Sequence, residues 1–200
     1  IKMLSGAYHP DSGTITLEGR PVTIPSPFES QQLGIVTIYQ EFTLVPSLSI
    51  AENVFIGREH GRGGLISWGR MRRETRQLTD QLGVSLEPTT LVRDLSVAEQ
   101  QLVEIARALS VQSRLIIMDE PTSALSDHEV RRLFGIINDL KAKGISIIFV
   151  SHRLEEVKEI CDRITVLRDG RNAGEADVED VTEHDIIRMM VGRDVDDQYT

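Results

Sequence analysis

The sequence predicts an α/β fold with a mostly parallel sheet, and three observations carry that expectation. Residues 115–118 (LIIM) form a short, wholly apolar run, and residues 145–150 (ISIIFV) form a second, nearly all apolar. Between them Val130, Leu133, Phe134, Ile137 and Leu140 recur at helical spacing. Strand, long helix, strand, with both strands nearly continuous in apolar residues, is the pattern of a βαβ unit in a sheet covered on both faces.

The remaining elements follow in order. Residues 1–6 read as the last turn of a helix stopped by Gly6, so the natural chain is expected to start earlier. Residues 14–24 alternate as two short strands about a Gly19-Arg20 turn, a hairpin. Pro25 and Pro27 precede a short helix, and Ile35-Val36-Thr37-Ile38-Tyr39 is rich in β-branched residues, as a strand is. Ser49 and Glu52 form a capping box that opens a two-turn helix. A glycine-rich loop over 57–64 leads into a helix from Trp68 to about Leu82, basic through Arg70, Arg72, Arg73 and Arg76 on what reads as a solvated face. Trp68 is expected to anchor packing. Leu102, Ile105, Ala106 and Leu109 mark a helix over 97–109, and Ser126 with Glu129 caps the long helix of the βαβ unit. A short helix over 154–160, a strand at 163–167, a turn at Asp169-Gly170, another strand and a helix capped by Thr182 complete the chain. Residues 193–200 are acidic and unpatterned, as the start of a linker would be.

Composition narrows the function. The chain has 200 residues, 40% of them hydrophobic, which suffices for a core without any run long enough to cross a bilayer. A formal charge of −9 argues against a protein whose main work is gripping nucleic acid, so membrane association is expected to come through a partner protein. The lone Cys161 excludes an internal disulfide and is expected to be a buried structural thiol.

The chemistry gathers after the first apolar strand. Asp119 and Glu120 follow it directly, and in parallel sheets ligands collect at the carboxyl ends of strands. A carboxylate there suits a hard cation such as magnesium, and a second can orient or deprotonate an attacking water. Taken alone, the pair better suits a strand leading into an acidic helix entry. Its company is more specific. Gln40 ends a strand; Leu95-Ser96-Val97-Ala98-Glu99-Gln100-Gln101 opens a helix; then come Asp119-Glu120-Pro121-Thr122, Ser123-Ala124-Leu125-Ser126, and His152 after the next strand.

In this order and spacing the five stretches resemble the nucleotide-binding domain of ABC transporters, as its Q-loop, signature, Walker B, D-loop and H-loop. The resemblance covers almost the whole chain. It implies a P-loop NTPase fold of the RecA-like type, with residues 1–192 as the nucleotide-binding domain, a helical subdomain over about 49–109 and a small β-hairpin region. It further implies ATP and Mg2+ as cofactors, with Asp119 and Gln40 directed at the metal. Glu120 is then the base toward water, and His152 hydrogen-bonds the γ-phosphate. Gln40 contacts the attacking water and couples to the membrane subunit. Ser96, Val97, Ala98 and Glu99 face ATP held by a partner domain, with Ser123, Ala124, Leu125 and Ser126 as the D-loop beside it.

Two departures stand out. The family's signature is Leu-Ser-Gly-Gly-Gln, whose glycines let backbone amides approach phosphate; here Val97, Ala98 and Glu99 replace the last three residues. Ser96 and Glu99 also spell a capping box, and both readings stand together. Ser126 takes the place of the D-loop aspartate, with Asp127 directly after it. The runs LSVAEQQLVEIARAL, DEPTSALS and SHRLEEV are similar to the first half of the tandem ATPases that serve bacterial monosaccharide importers of the ribose, galactose, arabinose and xylose type. That similarity implies a second ABC domain paired head to tail, membrane permease subunits, a sugar-binding protein reached indirectly and no nucleic acid. It places the protein at the cytoplasmic face of the bacterial inner membrane. The alternatives are an ABC ATPase acting on ribosomes or DNA, or an interaction module with a degenerate ATP site. No Gly-x-x-x-x-Gly-Lys-[Ser/Thr] run occurs in the sequence. The chain is therefore read as a segment beginning inside the helix after the P-loop, expected to bind ATP poorly by itself.

Overall fold

A computed structural model describes residues 1–62 and 65–192. It divides into two compact units, Ile1–Val150 and Ser151–Thr200. The expected linker at 193–200 lies outside the described residues.

The first unit is organised by three parallel strands in the order β3 (Ile35–Ile38), β6 (Leu115–Asp119), β7 (Ser146–Val150). Their registers, Ile35 opposite Leu115 and Leu115 opposite Ser146, start all three strands at one level and finish them at one edge. The reason β6 is central is its composition. Ile116, Ile117 and Met118 are fully enclosed, and burying each such side chain is worth about 1.5–3 kcal/mol. Its neighbour β7 is less covered than its sequence suggests, with Ile148 37% exposed. Helix α5 (Asp127–Ala142) joins β6 to β7 and packs on β7 through a buried stripe that includes Leu133, Ile137 and Leu140, completing the expected βαβ unit.

Ahead of the sheet lies an antiparallel hairpin, β1 (Ile15–Leu17) with β2 (Arg20–Val22). Ile15, Leu17 and Val22 pack against Ile24, Ile35 and Ile117, which fixes the hairpin to the sheet. The first residues make a helical turn, with Ser5 N donating to Ile1 O at 3.0 Å, and Gly6 ends it at φ 73°. A Cβ on Gly6 would stand 2.3 Å from the Ser26 backbone, so only glycine fits. Helix α1 (Pro27–Gln32) leads into β3.

Between β3 and β6 the chain runs through three mutually packed helices, α2 (Ile50–Phe55), α3 (Trp68–Gln81) and α4 (Val97–Leu109). Their starts and ends fall within a residue or two of those read from the sequence. The stretch expected as a glycine-rich loop instead carries a two-rung hairpin, β4 (Gly61–Arg62) with β5 (Leu65–Ile66). Trp68 is no packing anchor; it keeps 43% of its surface exposed at the start of α3. The arginines of α3 behave as a solvated face, Arg70 pairing with Glu74 at 2.7 Å and Arg76 with Glu87 at 2.9 Å.

The second unit contains α6 (Leu154–Ile160), the antiparallel pair β8 (Arg163–Arg168) and β9 (Arg171–Asp177), and α7 (Glu183–Val191). Helix α7 packs on α6 and on both strands. Cys161 is half-buried where full burial was expected.

Candidate functional site

The site is built at the edge where β3, β6 and β7 finish. Asp119 is the last residue of β6, opposite Val150 in the register, and Glu120 follows it. Both carboxylate residues are half-buried, drawn partly inward by the enclosed strand before them. Glu120 has φ 48°, a left-handed backbone that costs a non-glycine residue about 1–2 kcal/mol. Among the described residues the other non-glycine cases, Glu18, Gln112 and Asp169, lie in reversing turns. Only Glu120 takes this conformation at the end of a parallel strand. Its amide donates to Val150 O at 2.9 Å, which holds the turned backbone against β7. Strain of this kind collects where a side chain must be aimed.

Gln40 lies two residues past the end of β3 and is exposed. Because Ile38 pairs with Met118, Gln40 and Glu120 each stand two residues beyond paired strand positions. The sequence reading that Gln40 terminates the strand is thus shifted by two residues, and the same edge still receives it. Ser123 and Ala124 are exposed in the turn after Glu120, where Ser123 N donates to Glu120 O at 3.2 Å. Leu125 is half-buried, its amide donating to Thr122 O at 3.1 Å. Ser126 caps α5, its amide donating to Glu129 at 2.8 Å. His152 is exposed in the second unit, two residues beyond the end of β7.

At the start of α4 the capping box is complete. Ser96 N and Ser96 Oγ both donate to Glu99 Oε2 at 2.8 Å, and Glu99 N donates back to Ser96 Oγ at 3.3 Å. Ser96 and Val97 are exposed, while Ala98 and Glu99 are half-buried. Inside the chain these four residues therefore do what a helix cap does.

Two buried polar side chains that sequence reasoning missed hold the segment after Gln40. Asn53 on α2 is 1% exposed; its Oδ1 accepts from Val45 N at 2.7 Å and its Nδ2 donates to Val45 O at 3.1 Å. Glu104 on α4 is 2% exposed and accepts from Thr43 N at 2.9 Å and Thr43 Oγ1 at 3.0 Å. Its other oxygen accepts from Arg107 at 2.5 Å. A signal existed for Glu104: a lone acid in the otherwise apolar run Leu102-Val103-Glu104-Ile105-Ala106, three residues before an arginine. Buried carboxylates persist only when paired and hydrogen-bonded.

A mostly parallel sheet finishing in adjacent acids, with a helical insertion between its first two strands, defines an ATP-binding cassette. The comparisons agree. The model of the ABC transporter family matches residues 1–123, and the chain belongs to that family. Ribose import ATP-binding protein RbsA 1 of Rubrobacter xylanophilus is 52% identical over 199 residues, covering 100% of this chain and 40% of that protein. A putative ribose/galactose/methyl galactoside import ATP-binding protein 1 of Agrobacterium fabrum is 48% identical over 199 residues, covering 100% of this chain and 39% of its own length. The chain thus spans about two fifths of the curated relatives it matches. Among solved structures, an ATP-binding cassette of an ABC transporter in its ADP conformation superposes with a TM-score of 0.80 at 24% identity, covering 96% of this chain and 82% of that one. The cbiO1 protein of Clostridium perfringens, part of the ABC transporter complex cbiONQ, superposes at 0.76 and 22% identity, covering 93% and 74%. These likenesses bear on the fold alone.

Proposed function

We propose that the full-length protein hydrolyses ATP to energise import of a monosaccharide through membrane permease subunits, with residues 1–192 as one nucleotide-binding domain and about 49–109 as its helical subdomain. The observation that carries the reading is the acidic pair at the end of the buried strand β6, with Glu120 held in a left-handed turn. Identity of about half to proteins named for ribose and galactose import, along the whole chain, supports the sugar.

Roles follow from chemistry. Asp119 and the Gln40 amide supply oxygens for magnesium. No group of three His, Cys, Asp or Glu side chains gathers among the described residues. A carboxylate or two plus substrate phosphates is how this small cation is usually held, so the donor set fits it. When bound, the ion neutralises phosphate charge in the reaction. Glu120 accepts the proton of the attacking water, Gln40 orients that water, and His152 donates to the γ-phosphate. Ser96, Val97, Ala98 and Glu99, with the turn of Ser123, Ala124, Leu125 and Ser126, meet ATP held by a second cassette paired head to tail. Residues 193–200 begin the linker to it. No helix among the described residues is long and apolar enough to cross a membrane. Relatives named as import ATP-binding proteins support a place peripheral to the inner membrane's cytoplasmic face.

The test is reconstitution of the full-length protein with its permease subunits in vesicles. Magnesium-dependent ATP hydrolysis coupled to uptake of labelled ribose or galactose is the expected result. Hydrolysis stimulated by ribosomes and indifferent to the permease would replace this reading with a non-transport ATPase.

A further inference from the structure

The segment that follows Gln40 has no regular structure between Gln40 and Ser49, yet it is not left to solvent. Thr43 is tied to α4 by both its amide and its hydroxyl, each donating to one oxygen of Glu104. Arg107, one turn further along α4, donates to the other carboxylate oxygen and also to Thr43 Oγ1. The carboxylate is 2% exposed, so it cannot exchange these donors for water. A buried carboxylate in this position favours one geometry over others, because a displaced Thr43 leaves the oxygen not paired with Arg107 without its two donors in the interior. Val45 and Leu48 are fastened in the same way to α2 through Asn53. The chain from Gln40 onward is therefore moored three residues past the glutamine, to the helix whose first turn is the signature.

We infer that Glu104 is a positioning residue: through Thr43 it holds Gln40 at the β6 edge in fixed relation to the signature helix α4. The inference rests on the catalytic reading of Gln40 given above. It does not follow from that reading, since a glutamine on a free loop would serve the same chemistry less efficiently. Small misplacement of a group that orients a water costs about 100-fold in rate. Losing the mooring should therefore act on turnover and leave nucleotide affinity nearly alone.

The experiment uses the full-length protein with Gln40→Ala, Glu104→Ala, Glu104→Gln and the double variant Gln40→Ala/Glu104→Ala. Glu104→Ala is expected to lower kcat about 10- to 100-fold with KM changed less than about threefold. Glu104→Gln, which keeps an oxygen for Thr43, should fall between it and wild type. The double variant should be no slower than Gln40→Ala alone, because two residues acting through one group are not additive. A merely structural role for Glu104 would instead add its loss to that of Gln40→Ala. Amide hydrogen exchange at Thr43 supplies a readout independent of activity: faster in Glu104→Ala, close to wild type in Glu104→Gln. Should Glu104→Ala not fold, Thr43→Val removes the hydroxyl donor and carries the same non-additivity test. Additive losses, or a slow Gln40→Ala beside a fully active Glu104→Ala, overturn the inference while sparing the role of Gln40. A fully active Gln40→Ala overturns both.

Discussion

At the carboxyl end of β6, Asp119 and Glu120 leave a strand whose three preceding residues are fully enclosed. At the amino end of α4, the residues in the signature position begin in solvent, with Val97 40% exposed. The first pair is placed by the whole sheet, down to an amide pinned on the neighbouring strand. The second group is placed by itself: Glu99 takes both the amide and the hydroxyl of Ser96. A motif on a buried strand thus gets its geometry from the fold and needs only a ligand. A motif on an exposed cap has its donors already spoken for. For Ser96 to meet a phosphate, its bonds to Glu99 must open, and the glutamate's charge opposes the anion that would replace it. In a sequence with Leu-Ser-Gly-Gly-Gln the glutamine can still cap the helix but carries no charge, so only the first obstacle remains.

The largest effect should come from the buried side of this contrast. Asp119→Asn in the full-length protein is expected to weaken magnesium-dependent nucleotide binding and to lower hydrolysis about 100-fold or more, since the charge proposed to face the metal is lost. A titration of nucleotide affinity against magnesium would then be flat in the variant. On the exposed side, the triple change Val97→Gly, Ala98→Gly and Glu99→Gln should raise turnover several-fold, on the order of 1 kcal/mol of barrier, at the composite site that Ser96 is proposed to complete. Nucleotide trapping resolved by site measures it, and equal trapping before and after would leave the four residues as a helix cap only.

The smallest effect uses the cap of α2 as a control with no ligand to serve. There Ser49 N donates to Glu52 at 2.8 Å, and the Ser49 hydroxyl, the leading cause, holds the Glu52 carboxyl below its ordinary value of 4.5. Glu129 and Asp185 are lowered in the same way by Ser126 and Thr182. A carboxyl depressed in the folded state contributes stability above its unfolded value and loses it as pH falls through the folded one. Ser49→Ala should cost about 1 kcal/mol near neutral pH. The gap in melting temperature to wild type should narrow as acid protonates Glu52, at pH values below the ordinary 4.5 of such a carboxyl. A gap that persists unchanged in acid would mean that the hydroxyl alone caps the helix.

The same contrast explains what could be read in advance. Apolar runs fix β6 and the length of α5, and Ser-x-x-Glu spacing fixes the starts of α2, α4 and α5 to the residue, because each signal is local. Coverage of β7 was not legible: its apolar sequence calls for neighbours, and Ile148 is left 37% exposed. Nor was the left-handed turn at Glu120, since nothing in a glutamate asks for positive φ. The hairpin at Gly61–Arg62 escaped because two rungs are too short to show alternation. Asn53 escaped because its partners are backbone groups of an irregular segment, which leave no pattern in side chains. Glu104 left the signal of a lone acid in an apolar run, but its partner Thr43 lies 61 residues away in the sequence.

The claim on which the rest depends is that the β6 edge is a hydrolytic centre with Glu120 as its base. Glu120→Gln keeps the shape and the half-buried position while removing the ability to take a proton. Hydrolysis and equilibrium ATP binding should be measured side by side on the full-length protein and this variant. The account predicts a loss of about 100-fold or more in hydrolysis, the scale of a positioned general base, with ATP affinity unchanged. Equal hydrolysis rates in the two proteins would contradict it.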